Sequence, residues 1–309
     1  MNEELIPFIT KLKTKDFPFE DNEEIKTIFK EIRELKQIFV NKDDQNGAKD
    51  CWIVETIINN RIRYENAWIS LTQRKYEKAW RELVFCEKWF EYLLPHFNYM
   101  DEDYSDLFLD EIEERTKTLM SLFPYYLFFS PSYVIKKLVC SICNEEINPF
   151  NRCDHKLREI YNGEICFRII EEIKEINHLA LTRFPRWKLR YFKPDNVNFN
   201  YDILSILIDR SENSMDGWNV IADKLGLSHE NFKHFQPDHY CPCGSFKSYK
   251  ECCMKNDSVY INAYRIDTNS KRNNNHFISM RFRQIKVEEE EKIQHGSSVI
   301  VDPEAFYFD

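Results

Sequence analysis

The stretch Cys241-Pro-Cys-Gly-Ser-Phe-Lys-Ser-Tyr-Lys-Glu-Cys-Cys253 decides how the back half of this chain is read. Two cysteines stand one residue apart, and two adjacent cysteines follow after a short basic run. Cys241, Cys243, Cys252 and Cys253 supply the four thiolates that fill the tetrahedral shell of a structural Zn²⁺, at Zn–S distances of about 2.3 Å. Pro242 stiffens the step between the first two, and Gly244 can enter a left-handed turn that aims backbone N–H groups at sulfur. Lys247 and Lys250 offset the negative charge of such a centre. Metal binding of this kind supplies on the order of 10–16 kcal/mol of folding free energy, enough to organise a segment with little core of its own. A disulfide pair or four unliganded thiols would use the same residues, but the tight spacing and a reducing context favour the ion.

The stretch resembles the SEC-C motif, the short zinc module at the C-terminus of the SecA translocation ATPase and on many small bacterial proteins. All four ligand positions of that pattern are present, and Pro242, Gly244, Ser245, Lys247, Tyr249 and Lys250 match it as well. Phe246 stands where the family has a second Gly, so the turn is expected to differ there. Only this short stretch carries the resemblance, and nothing upstream suggests a SecA motor. It implies contact with a protein or the ribosome, and an association with mobile-element and phage-defence functions.

At 309 residues the chain has room for two or three domains. Hydrophobic residues at 43% and aromatics at 15% suffice for buried cores, while 6 glycines and 11 prolines argue against turn-rich repeats and disorder. No G-x-G-x-x-G or G-x-x-x-x-G-K-[ST] occurs, which excludes the Gly-rich phosphate loops. A net charge of −9 does not suit a dedicated DNA binder, though it leaves room for a local basic face. The N-terminus is acidic and lacks a signal-peptide core, and the apolar run Leu122 to Phe129 is far short of the ~20 residues that span a bilayer. The expectation is a soluble, cytoplasmic protein with reduced cysteines, no membrane insertion and no small-molecule substrate.

The front of the chain has helical periodicity. Leu5, Phe8, Ile9 and Leu12 form one stripe; Asp21 and Glu24 cap a second helix carrying Ile25, Ile28, Phe29, Ile32, Leu35 and Phe39. A third carries Val54, Ile57, Ile58 and Ile62, and a fourth Tyr76, Ala79, Trp80, Leu83 and Phe90. A fifth, opened by Asp101 to Asp103, carries Phe108, Ile112 and Leu119. Ala67, Leu71, Tyr76 and Ala79 loosely match the spacing of tetratricopeptide hairpins, although a generic bundle needs the same small residues. Cys51 and Cys86 read as small core residues.

A second metal set follows Pro124 and Pro131. Cys140-Ser-Ile-Cys143 is a thiolate knuckle after a β-like run (Tyr133 to Val139), and Cys153-Asp-His155 comes shortly after. Cys140, Cys143, Cys153 and His155 are the expected ligands, because two ligands from each of two loops are how zinc holds a poorly packed domain. Cys166 competes with His155 for the fourth place. It is expected inside a helix starting near Gly163, on one face with Ile169, Ile170 and Ile173, where it would instead be a core thiol.

From Arg183 to Lys193 the chain is basic and aromatic. An amphipathic strand would put Trp187 and Tyr191 on one face and Arg186, Lys188 and Arg190 on the other. Solvated charges are one reading; the other is a nucleic-acid surface formed by Arg183, Arg186, Trp187, Lys188 and Arg190. Farther on, Tyr201 to Ile208 and Gly217 to Leu225 are expected helices. The tail is expected to be β, through Val259, Ile261 and Ala263, then Ile278, Met280 and Phe282, with a late strand at Val299 to Val301 and a solvated charge run at Glu288 to Glu291. His239 is a conceivable spare ligand.

Asp154-His155 and Asn162-Gly163 resemble pieces of HNH nucleases, in which an Asp-His pair activates water beside a metal. The spacing to Asn162 is short, the second Cys-x-x-Cys is missing, and His178 lies in an apolar run where a structural role is expected. A His155 that ligates zinc is not available as a base. The resulting expectation is an α+β chain: a helical domain (1–130), a zinc-knuckle α/β module (131–235), a SEC-C module (236–256) and a β-rich tail (257–309). Its expected role is a non-catalytic, two-zinc adaptor for a protein, ribosome or nucleic-acid partner.

Overall fold

Helix α3 (Gln45–Thr72) shows where the core of the front half lies. Asp44 caps it, its carboxylate accepting the Gly47 N–H at 2.9 Å. Cys51, Ile53, Val54, Ile57, Ile58, Tyr64 and Leu71 are all buried, on more than one face of the helix. A helix that is apolar on several sides must be covered on several sides. Helix α2 (Glu23–Asn41) covers it with Ile25, Ile28, Ile32 and Phe39, and α4 (Tyr76–Phe97) with Ala79, Trp80, Leu83 and Phe90. Gly47 is required where α2 ends and α3 begins, because a Cβ there would stand 2.7 Å from the Phe39 ring. Cys51 and Cys86 lie in this core as expected.

The computed structural model describes residues 2–14, 23–97, 105–193, 199–215, 217–245 and 247–268, with the short strands His276–Ile278 and Tyr307–Phe308. The chain divides into two units, one of Met1–Met120, Tyr125–Phe192 and Ile300–Asp309, the other of Ser121–Pro124 and Lys193–Val299. Among the described residues there are six α-helices, α5 (Leu109–Leu122) following α4, and small antiparallel sheets, a mixed α and β architecture. No described helix is long and apolar enough to cross a membrane. The Asp21 cap, Asp101 to Asp103, Phe246, Met280, Phe282, Glu288 to Glu291 and the strand at Val299 to Val301 lie outside the described residues.

In the first unit, α1 (Ile6–Leu12) is tied to α3 by Arg61, whose guanidinium donates to the Leu12 and Thr14 carbonyls. Burial pushes the Arg61 pKa down to about 10, against the pull of Glu65. A long ribbon follows: β1 (Phe128–Cys140) pairs antiparallel with β4 (Arg168–Thr182), from Phe128↔Thr182 to Cys140↔Arg168. Between them sits a tiny hairpin, β2 (Ile160–Tyr161) and β3 (Glu164–Ile165). Its turn is Asn162 at φ +52 and Gly163 at φ +72, the Asn-Gly pair that a two-residue hairpin turn demands. The helix expected from Gly163 onward is therefore replaced by β3 and β4. Ile170 and Ile173 pair across the ribbon with Leu138 and Ile135, and that partner outweighs the helix-like spacing. His178 is exposed on β4 rather than packed among hydrophobics.

The second unit contains α6 (Asp202–Arg210), as expected, with Ile203, Leu204, Leu207 and Ile208 buried. The helix expected at Gly217 to Leu225 is instead β5 (Trp218–Leu227), paired antiparallel with β6 (Val259–Thr268) from Trp218↔Thr268 to Leu227↔Val259. Strand β7 (His276–Ile278) extends the sheet from β6.

Candidate metal centres

The first cluster is built into the connection between β1 and β4. Cys140 ends β1, and the chain turns at once: Asn144 N–H donates to the Cys140 carbonyl at 2.9 Å, with Asn144 at φ +57. The Ile142 N–H points at the Cys140 sulfur, 3.4 Å away. Ser141 locks this turn to the far side of the connection, since its N–H donates to the Phe167 carbonyl and its hydroxyl accepts the Phe167 N–H at 2.8 Å. Cys153 and His155 arrive on the second loop, where the Tyr161 hydroxyl accepts the Lys156 N–H at 2.9 Å and the Tyr161 ring meets His155 edge-on at 4.6 Å. The ligand atoms of Cys140, Cys143, Cys153 and His155 all lie within 4.8 Å of one another.

These residues fit a metal ion on two independent grounds. The His155 Nδ1 is buried and, among the described residues, has no hydrogen-bond partner. Such an atom is costly unless something claims its lone pair. The Cys140 thiol, although burial opposes it, is drawn below its ordinary pKa by the Cys143 and Ile142 N–H groups and by bonds from Cys153 and Cys166. Donors already gathered around a sulfur favour the thiolate, which is the form that ligates. Cys166 lies 3.8 Å from Cys140, but burial first and then the Cys140 neighbour push it up to about 12. It stands beside the cluster, outside the group of four.

The second cluster is built into the connection between β5 and β6. Gly244 sits at φ +79 and donates its N–H to the Cys241 carbonyl at 3.0 Å, while the Cys241 N–H donates to Lys247 at 2.8 Å. These bonds fold Cys241 and Cys243 back over the segment that carries Cys252 and Cys253. Cys243 and Cys252 are 3.6 Å apart, Cys252 and Cys253 are 3.9 Å apart, and the Ser245 hydroxyl is 3.2 Å from Cys252. All four sulfurs lie within 4.8 Å of one another. A tetrahedral ion with metal–sulfur bonds of about 2.3 Å sets its sulfurs roughly 3.8 Å apart, so little must move to admit one. His239 is no spare ligand through Nδ1, which accepts the Gln236 N–H at 3.1 Å.

Electrostatics point the same way. Cys243 is drawn down to about 4, chiefly by the hydrogen bond from Cys241, which is itself raised far above the thiol range by that bond. Burial pushes Cys253 up to about 11. Sulfurs this close do not ionise together by themselves; a divalent cation makes four thiolates compatible, and its binding releases protons. Each group could hold one metal ion. No protein-family model, no curated protein and no solved structure matches this chain.

The remaining sequence candidates are placed as follows. Arg183 to Lys193 is not a two-faced strand: among the described residues its one ladder contact is the bridge Phe128↔Tyr191. Arg183 and Arg186 are exposed, whereas Trp187 meets the Phe85 ring of α4 edge-on, Lys188 pairs with Glu87 at 2.6 Å, and Arg190 is buried. The Asn162 side chain accepts from the Gln45 amide at 2.7 Å, and its own N–H donates back to Gln45 at 2.9 Å. Sequence reading passed over a cleft of about 290 Å³ beside Cys153 and His155, lined also by Arg152, Lys156 and Arg168. Two of those cations are sequence neighbours of ligands, which was the available signal.

Proposed function

We propose that the chain is a non-catalytic adaptor held in shape by two Zn²⁺ ions, with Cys140, Cys143, Cys153 and His155 at one and Cys241, Cys243, Cys252 and Cys253 at the other. The observation that carries this reading is the completeness of both ligand sets. Four protein ligands leave a tetrahedral ion no open position for water or substrate, which is the mark of a structural rather than a catalytic centre. Thiolate-rich sets select zinc over the harder cations that nucleases use. The nuclease alternative is disfavoured by what His155 and Asn162 do: one is a ligand in the set, and the other spends its amide on Gln45.

The second set resembles a SEC-C module, and on that basis the partner is a protein, a ribosome or a nucleic acid in a bacterial cytoplasm. Metal analysis of freshly purified protein tests the reading. Two zinc ions per chain are expected, falling to one in Cys143→Ser and in Cys243→Ser, with no Mg²⁺- or Mn²⁺-dependent cleavage of DNA or RNA. Absence of zinc, or cleavage lost in His155→Ala while the fold survives, would overturn it.

A further inference from the structure

We propose that the cleft beside Cys153 and His155 is a phosphate site for single-stranded nucleic acid, with Phe150 as the platform on which an adjoining base stacks. The proposal rests on the adaptor reading, because the loop forming the cleft is the loop the ion holds, and it names the partner class.

The first observation is charge. Arg152, Lys156 and Arg168 line the cleft of about 290 Å³, against a single carboxylate, Asp154. Among the described residues none of these three cations has a carboxylate within ion-pair distance. Cations elsewhere in the same unit do: Lys136 with Glu172, Lys137 with Glu171, Arg158 with Glu91 and Lys188 with Glu87. A divalent ion with three thiolates and a neutral imidazole carries one negative charge, and Asp154 adds another. Three cations exceed both, so the cleft stays positive in a chain whose net charge is −9. A concave, locally positive surface concentrates anions.

The second observation is an aromatic ring with no role in folding. Phe150 is 100% exposed, two residues before Arg152. Its turn is held rather than loose: the Asn148 side-chain oxygen accepts from Phe150 N–H at 2.9 Å and from Asn151 N–H at 2.8 Å, and Asn148 bridges Asn151. A pinned turn that presents a bare ring two residues along the chain from Arg152 matches the chemistry of an unpaired strand, whose phosphates seek the cations and whose bases stack on rings. A duplex hides its base faces and gains nothing from Phe150. An acidic or phosphorylated peptide would use the cations alone.

Fluorescence anisotropy with the zinc-loaded full chain tests this, using labelled oligo(U), oligo(dT), a duplex and a phosphopeptide. Both single strands are expected to bind, the duplex and phosphopeptide far more weakly. Three phosphate contacts predict a log–log salt slope near −2, about a twentyfold loss of affinity from about 50 to 200 mM salt. Changing Arg152, Lys156 and Arg168 together to Ala should remove most of that slope. Phe150→Ala should weaken binding about fivefold or more while leaving the slope unchanged. Arg183→Ala with Arg186→Ala should leave binding intact. Zinc content is measured on every variant: loss of zinc from the parent protein would sink the adaptor reading. With two zinc ions retained, the phosphate site alone is refuted by no strand binding, by binding insensitive to the triple change, by loss in the Arg183 and Arg186 variant only, or by preference for duplex or phosphopeptide.

Discussion

Both candidate metal centres lie in the connection between two long antiparallel strands, yet the surroundings of their sulfurs differ. In the second unit the connection joins Leu227 to Val259, and its sulfurs pack with Phe232, Phe235, Tyr249, Val259 and Ile261 into one small core. In the first unit the connection joins Cys140 to Arg168. Val139, Ile165 and Cys166 are buried with Cys140 at its base, while Cys143, Cys153 and His155 are only partly buried and the loop opens on a charged cleft. Closing a long connection costs entropy that burial or a bound ion must offset. On the two-ion reading, the contrast would separate two uses of one kind of ligand set: in the second unit an ion would complete a core, and in the first it would hold a charged cleft in place.

The sharpest way to break this contrast is to remove a ligand from each centre. Cys243→Ser should unfold the β5–β6 connection together with its core, because metal binding worth roughly 10–16 kcal/mol exceeds or matches the stability of most small domains. Cys143→Ser should loosen the first connection while the helices keep their circular dichroism, since the α3 core has no share in that cluster. Hydrogen exchange resolved along the chain would show both; equal loss of helix in the two variants would erase the distinction.

A smaller effect probes the small core itself. Phe235→Ala should cost about 3–5 kcal/mol in the second unit, read from the shift in its urea midpoint, because a buried ring of that core is removed. Phe150 in the first connection is fully exposed, and Phe150→Ala there should leave stability unchanged. Gly163→Ala comes next. The new Cβ would collide with the Lys36 side chain at φ +72, and the left-handed backbone alone costs about 1–2 kcal/mol. Thermal unfolding of the first unit would register it.

The smallest expected effect is a pH dependence. Burial lowers the His96 pKa below 6.5, opposed by its bond to the Arg158 carbonyl. The folded state therefore prefers the neutral ring. Stability from this site is full above pH 6.5, the unfolded value, and is lost as pH falls toward the depressed folded value. His96→Gln should flatten that acid limb relative to the parent protein, measured by urea unfolding at stepped pH, and an unchanged limb would assign the whole effect to metal release.

The two cysteine groups were legible because their spacing is local: Cys140 with Cys143, and Cys241 with Cys243, are each set by one turn. The helical stripes were legible too, because Ile25, Ile28 and Ile32 keep a helical period whatever covers them. The misread segments needed a partner from elsewhere in the chain. Ile169, Ile170 and Ile173 fit a helix face until Val139, Leu138 and Ile135 pair with them, and Val220 and Ala222 read as helix until Ile266 and Tyr264 lie opposite. Arg183 to Lys193 misled for a similar reason: Lys188 and Trp187 are claimed by Glu87 and Phe85, far away in sequence.

The paired amides of Gln45 and Asn162 carry one last implication. They moor the hairpin within the first metal connection to the opening turn of α3. Were the first group to hold an ion, order in that turn and occupancy of the site would be linked through these bonds, and such linkage is reciprocal. Whatever firms the start of the helix would then tighten the grip on the ion, and loading the ion would quiet the helix in return.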